Sequence, residues 1–276
     1  MTIALSEARY AEFARFLAQR LGITLGENKQ YLVKSRLVIA MREFDSTDIN
    51  SFIGTVTSGR NAELTNRALE SMTTNETFWF RDEYPYQILN DTLLPALANH
   101  NKKLRIWSSA CSYGQEPYSI AMIIHQYMQK HPGAFKHGVQ IIASDISQKV
   151  LTEAQKGSYD ELAIARGLPA AMQQKYFTKG TGKRLEVVDY IRNMVTFKRI
   201  NLMDNFASLG EFDVIFCRNV LIYFDNEMKA NILQKLTALL PVDGALILGA
   251  AESISGAQHV LQMQKCPRGL YYARRA

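Results

Sequence analysis

Four short clusters in this 276-residue chain hold residue types suited to binding and orienting a small polar ligand. They are Ser108-Ser109-Ala110-Cys111-Ser112-Tyr113-Gly114-Gln115-Glu116, then Asp145, then Asn201, then Arg218-Asn219. The first, second and fourth follow short apolar runs of strand character. Ligands of doubly wound sheets bind at the carboxyl ends of the strands. An acid ending the second strand suits ribose hydroxyls, because a carboxylate accepts from both. Neither G-x-G-x-x-G nor G-x-x-x-x-G-K-[ST] occurs, and the first loop has one glycine, Gly114, with Glu116 two residues on. An acid at that helix start repels a pyrophosphate and attracts an ammonium group, such as the amino-acid end of S-adenosylmethionine. The residues alone favour that cofactor, with an α/β fold of unspecified function as the alternative.

The elements that would position these residues are legible in the periodicity. Tyr10, Phe13, Leu17 and Leu21 form one apolar stripe on a helix ending at Gly22, and further helices are expected over Tyr31 to Arg42, Asp48 to Thr57 with Thr47 as cap, and Ala62 to Met72. The polar break Thr73 to Thr77 and the aromatic group Phe78-Trp79-Phe80 mark a domain junction, followed by a helix from Tyr84 to Ala98. From Lys103 strands and helices alternate: Leu104 to Ser109, Pro117 to Gln129, Val139 to Ser144, Ser147 to Lys156, Phe212 to Cys217, Glu227 to Leu240 and Ala245 to Ala250. The expectation is an α/β protein: an all-helical domain over 1–73, a linker with a helix over 74–102, and a doubly wound, Rossmann-like domain over 103–276. A small antiparallel β insertion is expected at about 178–198, where Gly180-Thr181-Gly182 signals a turn.

Composition narrows the class. The chain is 47% hydrophobic and 21% charged, an ordinary globular balance. Its formal charge of +6 is concentrated from Asn28 to Arg42, from Lys175 to Arg199 and after Glu252, which suits an acidic partner or a solvated surface. Three separated cysteines, Cys111, Cys217 and Cys266, suggest neither a disulfide framework nor a metal site. No apolar run approaches the ~20 residues of a membrane span, so a cytoplasmic protein without membrane insertion is expected.

Read together, the motifs resemble the chemotaxis-receptor protein-glutamate methyltransferases, the CheR family, over nearly the whole chain. The resemblance rests on Thr73-Thr74-Asn75-Glu76-Thr77-Phe78-Trp79-Phe80-Arg81, on Ser109 to Ser119, on Ala143-Ser144-Asp145-Ile146-Ser147, and on Phe212 to Phe224. It implies cofactor contacts at Asn75, Thr77, Arg81, Glu116, Asp145, Asn201, Leu202, Arg218 and Asn219, with Arg81 and Tyr223 nearest the transferred methyl. It also implies that Arg36 and Arg42, with Lys29 added, dock the acidic cytoplasmic signalling domain of a chemoreceptor. A monomer is expected, and regulatory adaptor proteins are further partners that the resemblance leaves open. The hairpin at Gly180 to Leu185 looks short for gripping a receptor's C-terminal peptide by strand addition.

The implied reaction is direct displacement, giving a glutamyl methyl ester and S-adenosylhomocysteine. A glutamate side chain with a pKa of about 4.3 is ionised at neutral pH and needs no general base. Two rivals have different requirements. An amino-directed nucleic-acid methyltransferase would carry an Asn/Asp-Pro-Pro-aromatic loop where this chain has Arg218-Asn219-Val220-Leu221, so nucleic acid is not expected as a partner. A non-catalytic cofactor-binding adaptor would not need the complete linker motif.

Overall fold

The computed structural model describes residues 4–275. The chain forms two compact units, one comprising the residues up to Thr74 together with Tyr223–Met228, the other Asn75–Ile222 with Lys229 onward.

The first unit is built on α1 (Glu7–Leu21), α2 (Gln30–Glu43), α3 (Ile49–Ser58) and α4 (Ala62–Met72). Ser6, Asp48 and Asn61 cap α1, α3 and α4 by accepting from the backbone N–H three residues on. Asp48 is thus the cap itself rather than the residue after one. Gly22 and Gly59 end α1 and α3 in the left-handed conformation. Phe13, Leu17, Leu37, Met41 and Ile53 are fully buried, as the apolar stripe on α1 requires.

In the second unit an irregular stretch from Asn75 leads into α5 (Tyr84–Ile88), a π-helical turn (Leu89–Leu93) and α6 (Leu94–Leu97). One straight helix was expected here; the ladder widens ahead of Pro95, which has no N–H to give. Then come β1 (Leu104–Ser109), α7 (Gln115–Lys130), β2 (Val139–Asp145), α8 (Gln148–Lys156), β3 (Ser158–Tyr159), α9 (Glu161–Ala165), α10 (Ala170–Tyr176), β4 (Phe177–Lys179), β5 (Leu185–Val187), α11 (Asp189–Arg192), β6 (Val195–Arg199), β7 (Val214–Cys217), α12 (Asn226–Ala238), β8 (Ala245–Leu248), β9 (Leu261–Cys266) and β10 (Gly269–Arg274).

The main sheet runs β6-β2-β1-β7-β8-β10-β9. Its first five strands are parallel, and β10 and β9 add antiparallel. The register sets Ser109 level with both Ser144 and Cys217, and Cys217 level with Leu248. The loops after β1, β2, β7 and β8 therefore leave from one edge. Trp107 sits wholly buried between Phe206 and Phe212 and donates from Nε1 to Ser144 Oγ at 2.9 Å, tying β1 to β2 near that edge.

The small sheet differs from expectation. It has the order β3-β5-β4 and draws on residues 158–187, not 178–198. Residues 195–199 instead pair in parallel with β2 as the edge of the main sheet, Phe197 packing against the Tyr118 ring of α7. Alternation along Val195 to Arg199 marks a strand with one buried face; it does not name the partner. The β9–β10 hairpin had no counterpart in the sequence reading. Among the described residues no helix is long and apolar enough to cross a membrane.

Candidate active site

The loop after β1 is held in an unusual backbone conformation. Ala110, Ser112 and Gly114 have φ of 55°, 51° and 88°, so alternate residues are left-handed. A methyl at Gly114 would meet Ala154 Cβ at 3.0 Å, which explains the single glycine. Among the described residues eight non-glycine positions have positive φ; four of them, Phe80, Ala110, Ser112 and Asn219, lie in segments the sequence singled out, and Asp82 and Glu83 directly follow one. Strain of this kind persists where the surroundings over-determine it, and it gathers at functional sites.

Asp145 supplies part of that over-determination. Its carboxylate is buried at the end of β2, Oδ2 accepting from Ser112 N at 2.9 Å and Oδ1 from Ser147 N at 3.0 Å. Ser112 Oγ donates to the carbonyl of Asn75 at 2.8 Å. One acid thus links the first loop, the start of α8 and, through Ser112, the linker. Asn201 lies two residues past the β2–β6 pair Asp145↔Arg199, with Oδ1 accepting from Met203 N at 3.0 Å, and Leu202 is buried beside it in sequence.

Glu116 and Arg218 meet from opposite sides of β1. Arg218 Nη1 donates to Glu116 Oε2 at 2.8 Å, while Nη2 donates to Asp82 Oδ2 at 2.7 Å and to the Arg81 carbonyl at 2.8 Å. Glu116 Oε1 accepts from Ser108 Oγ at 2.8 Å. The Arg218 side chain is 1% exposed and that of Glu116 11%. Burial works against the arginine's charge, yet Glu116 beside it holds the guanidinium above the ordinary arginine value. Glu116, which the sequence offers to an ammonium group, is thus already paired with a buried arginine. Among the described residues its neighbour Gln115 has a buried Oε1 without a hydrogen-bond partner.

Gln115 lines a cavity of about 350 Å³ with Asn75, Thr77, Tyr113, Tyr159 and Arg166. The linker wall of that cavity is fixed by Trp79, fully buried, whose ring packs edge-on against Tyr159 at 4.8 Å and Phe177 at 5.3 Å. Arg81 and Arg166 both lie over the Phe78 ring, at 5.3 and 5.6 Å, and both engage Glu76: Arg81 at its carbonyl, Arg166 at its carboxylate. Sequence reasoning missed Arg166, Asp82 and Glu252. Only Glu252 had a usable signal, as an acid just past the last parallel strand. Burial pushes the Cys111 thiol well up, with Asp145 and Glu116 adding to it.

The remaining predicted residues fall in the first unit. Tyr223 is half-buried and belongs to the first unit, as do Lys29, Arg36 and Arg42. Lys29 and Arg42 are exposed. Arg36 is turned onto the end of α4, donating to the carbonyls of Met72 and Thr73 and to Thr74 Oγ1.

The acceptors suit the ribose hydroxyls and ammonium of S-adenosylmethionine: a buried carboxylate at the second strand end and an unpaired buried amide oxygen, beside a strained loop. Comparison with known proteins agrees. Residues 8–73 match the model of the CheR methyltransferase all-alpha domain and residues 75–270 that of the CheR methyltransferase SAM binding domain. A chemotaxis protein methyltransferase of Vibrio parahaemolyticus is 44% identical over 270 residues, covering 98% of both chains. Chemotaxis protein methyltransferase 1 of Pseudomonas aeruginosa is 44% identical over 97% of this chain and 98% of its own. The chemotaxis protein methyltransferase of Escherichia coli is 34% identical over 92% and 87%.

Proposed function

The chain belongs to the CheR methyltransferase family, and from that premise we propose that it methylates glutamate side chains of chemoreceptor signalling domains. The carrying observation is that the helical and cofactor-binding models are matched together, over 8–73 and 75–270, so both domains of the family are present in one chain. When bound, S-adenosylmethionine supplies a sulfonium methyl group whose transfer to a carboxylate oxygen gives the glutamyl methyl ester and S-adenosylhomocysteine.

The protein's own task is orientation. An ionised glutamate is already the nucleophile, so the residues needed are donors that hold it in line and a site that excludes water. Arg81 grips a carboxylate, with Phe78 and the Glu76 carbonyl fixing its guanidinium. Tyr223 donates one hydrogen bond to the substrate. Asp145 accepts from the ribose, Asn75 and Thr77 present the linker's polar groups, and Asn201, Leu202 and Asn219 complete the strand-end contacts. Arg218 and Glu116 act as a clamp joining the β7 loop to α7 and the linker. Labelled S-adenosylmethionine incubated with the protein and receptor fragments should leave base-labile label on the fragments. Label on nucleic acid, or none anywhere, would overturn the reading.

Asp145→Ala should weaken binding of S-adenosylhomocysteine by about 1.5 to 3 kcal/mol, the scale of a hydrogen bond to a charged group. Calorimetric titration measures it, and an unchanged dissociation constant removes Asp145 from the site.

Docking belongs to the exposed cations of the helical unit. Lys29→Glu with Arg42→Glu should raise the KM for receptor fragments, most strongly at low salt because exposed charges are screened beyond ~8 Å at physiological ionic strength. Affinity for S-adenosylhomocysteine should not change. Arg36→Ala should behave differently, lowering the melting temperature through loss of about 1.5 kcal/mol or more of charge-assisted bonding at the end of α4. A wild-type KM for the double reversal at low salt would exclude α2 as the docking surface.

A further inference from the structure

We propose that Glu252 is a positioning residue for methyl transfer, acting through the backbone of the loop that follows β7. Its carboxylate accepts four main-chain N–H bonds: Oε2 from Asn219 at 2.8 Å and Gly249 at 2.8 Å, Oε1 from Val220 at 2.9 Å and Leu221 at 2.7 Å. A carboxylate committed to four backbone donors is an anchor, not a base. Two further observations show that the contact is built in. Asn219 is left-handed, with φ of 57°, which turns its N–H toward Glu252 along with the next two. A methyl at Gly249 would lie 2.7 Å from Glu252 Oε2 and 3.0 Å from both nitrogens of Asn219, so only glycine lets the β8 end approach the β7 loop this closely.

The consequence is a short segment fixed from two directions. The Arg218 side chain is held by Glu116 and Asp82, while the backbone immediately after it is held by Glu252. The same chain continues into the 3₁₀ turn Leu221–Tyr223, so an anchor on Val220 and Leu221 holds the start of that turn. The inference rests on the proposed roles of Asn219 and Tyr223 in cofactor and substrate contact.

Glu252→Gln keeps the shape but turns an NH₂ group toward backbone donors, leaving at least one of them without an acceptor. Expected is a loss of kcat of about tenfold or more with the KM for receptor fragments within about twofold, a split that marks misplacement of the reacting groups rather than loss of docking. A residue that only held the fold together would lower the melting temperature and leave kcat per folded molecule unchanged; that result overturns the inference. Gly249→Ala provides the second test, since its methyl displaces the carboxylate without removing it, and the same kcat loss is required even if Glu252→Gln does not fold. The double variant should be no worse than the poorer single one, because both act through one contact. Full additivity would overturn the shared route. An inactive wild-type enzyme would overturn the methyl-transfer reading and this inference with it, whereas an active wild type beside fully active variants would overturn this inference alone.

Discussion

Arg218→Met should destabilise the second unit by about 3 to 5 kcal/mol, the cost of leaving a buried ion-pair partner uncompensated. The geometry makes the direction secure. Glu116 is held at 2.8 Å by a guanidinium that is 1% exposed, and after the substitution its charge would face an apolar methionine, with only Ser108 Oγ still donating. Asp82, 31% exposed at its side chain, can turn to water and suffers less. In calorimetric melting the transition of this unit should fall by on the order of 10 °C. Adding Glu116→Gln should recover much of the loss, because a neutral amide no longer carries a buried charge while Oε1 still accepts from Ser108. The pair of variants also separates two roles for Glu116. If the acid serves only to hold Arg218, the double variant regains affinity for S-adenosylhomocysteine along with stability; if it also contacts the ligand's ammonium, stability returns and affinity does not. A single Arg218→Met variant as stable as wild type would show that the ion pair adds nothing to the fold.

That clamp joins residues 102 apart in sequence, which is why it could not be read from spacing. Local signals in this chain were reliable where local physics decides: the α1 stripe and its Gly22 stop, the β1 and β2 strands, and the polar residues at their carboxyl ends. Partnership is set by tertiary contacts, and there the sequence was silent or misleading. Val195 to Arg199 looked like part of a hairpin because alternation is the same in either sheet. Arg36 also gives its guanidinium to three acceptors at the end of α4, and no pattern on α2 announces where those acceptors will be. Ser158-Tyr159 is too short to alternate at all, although it founds the small sheet and its tyrosine packs on Trp79. Glu252 was within reach, since the rule that directs attention to strand ends applies to β8 as well as to β7.

Gly167→Ala should disable the site from outside it. Gly167 has φ of +86°, and a Cβ there would lie 2.3 Å from the Trp79 carbonyl oxygen, a backbone atom that cannot rotate away. The same contact region includes the bond from Trp79 N to the Arg166 carbonyl at 3.1 Å, so the added methyl presses directly on the strand of linker between Thr77 and Arg81. Left-handed strain alone accounts for about 1 to 2 kcal/mol in a non-glycine residue. The clash requires more, since either the α9 turn or the linker must shift by roughly an ångström to reach ordinary contact, and a displacement of about that size in positioning groups costs on the order of a hundredfold in rate. Gly182→Ala is the control. It shares the left-handed conformation, at φ +66°, but has nothing within 4 Å of its Cβ, so it should lose stability by the strain alone and retain wild-type affinity for S-adenosylhomocysteine and wild-type kcat. Melting temperature, dissociation constant and kcat measured on the two variants together distinguish the effects. Equal behaviour of the two would mean that the linker does not depend on Gly167, and that the small sheet and the linker are merely neighbours; loss of binding and rate at Gly167 alone would show that the β3–α9 segment holds Thr77 and Arg81 in place.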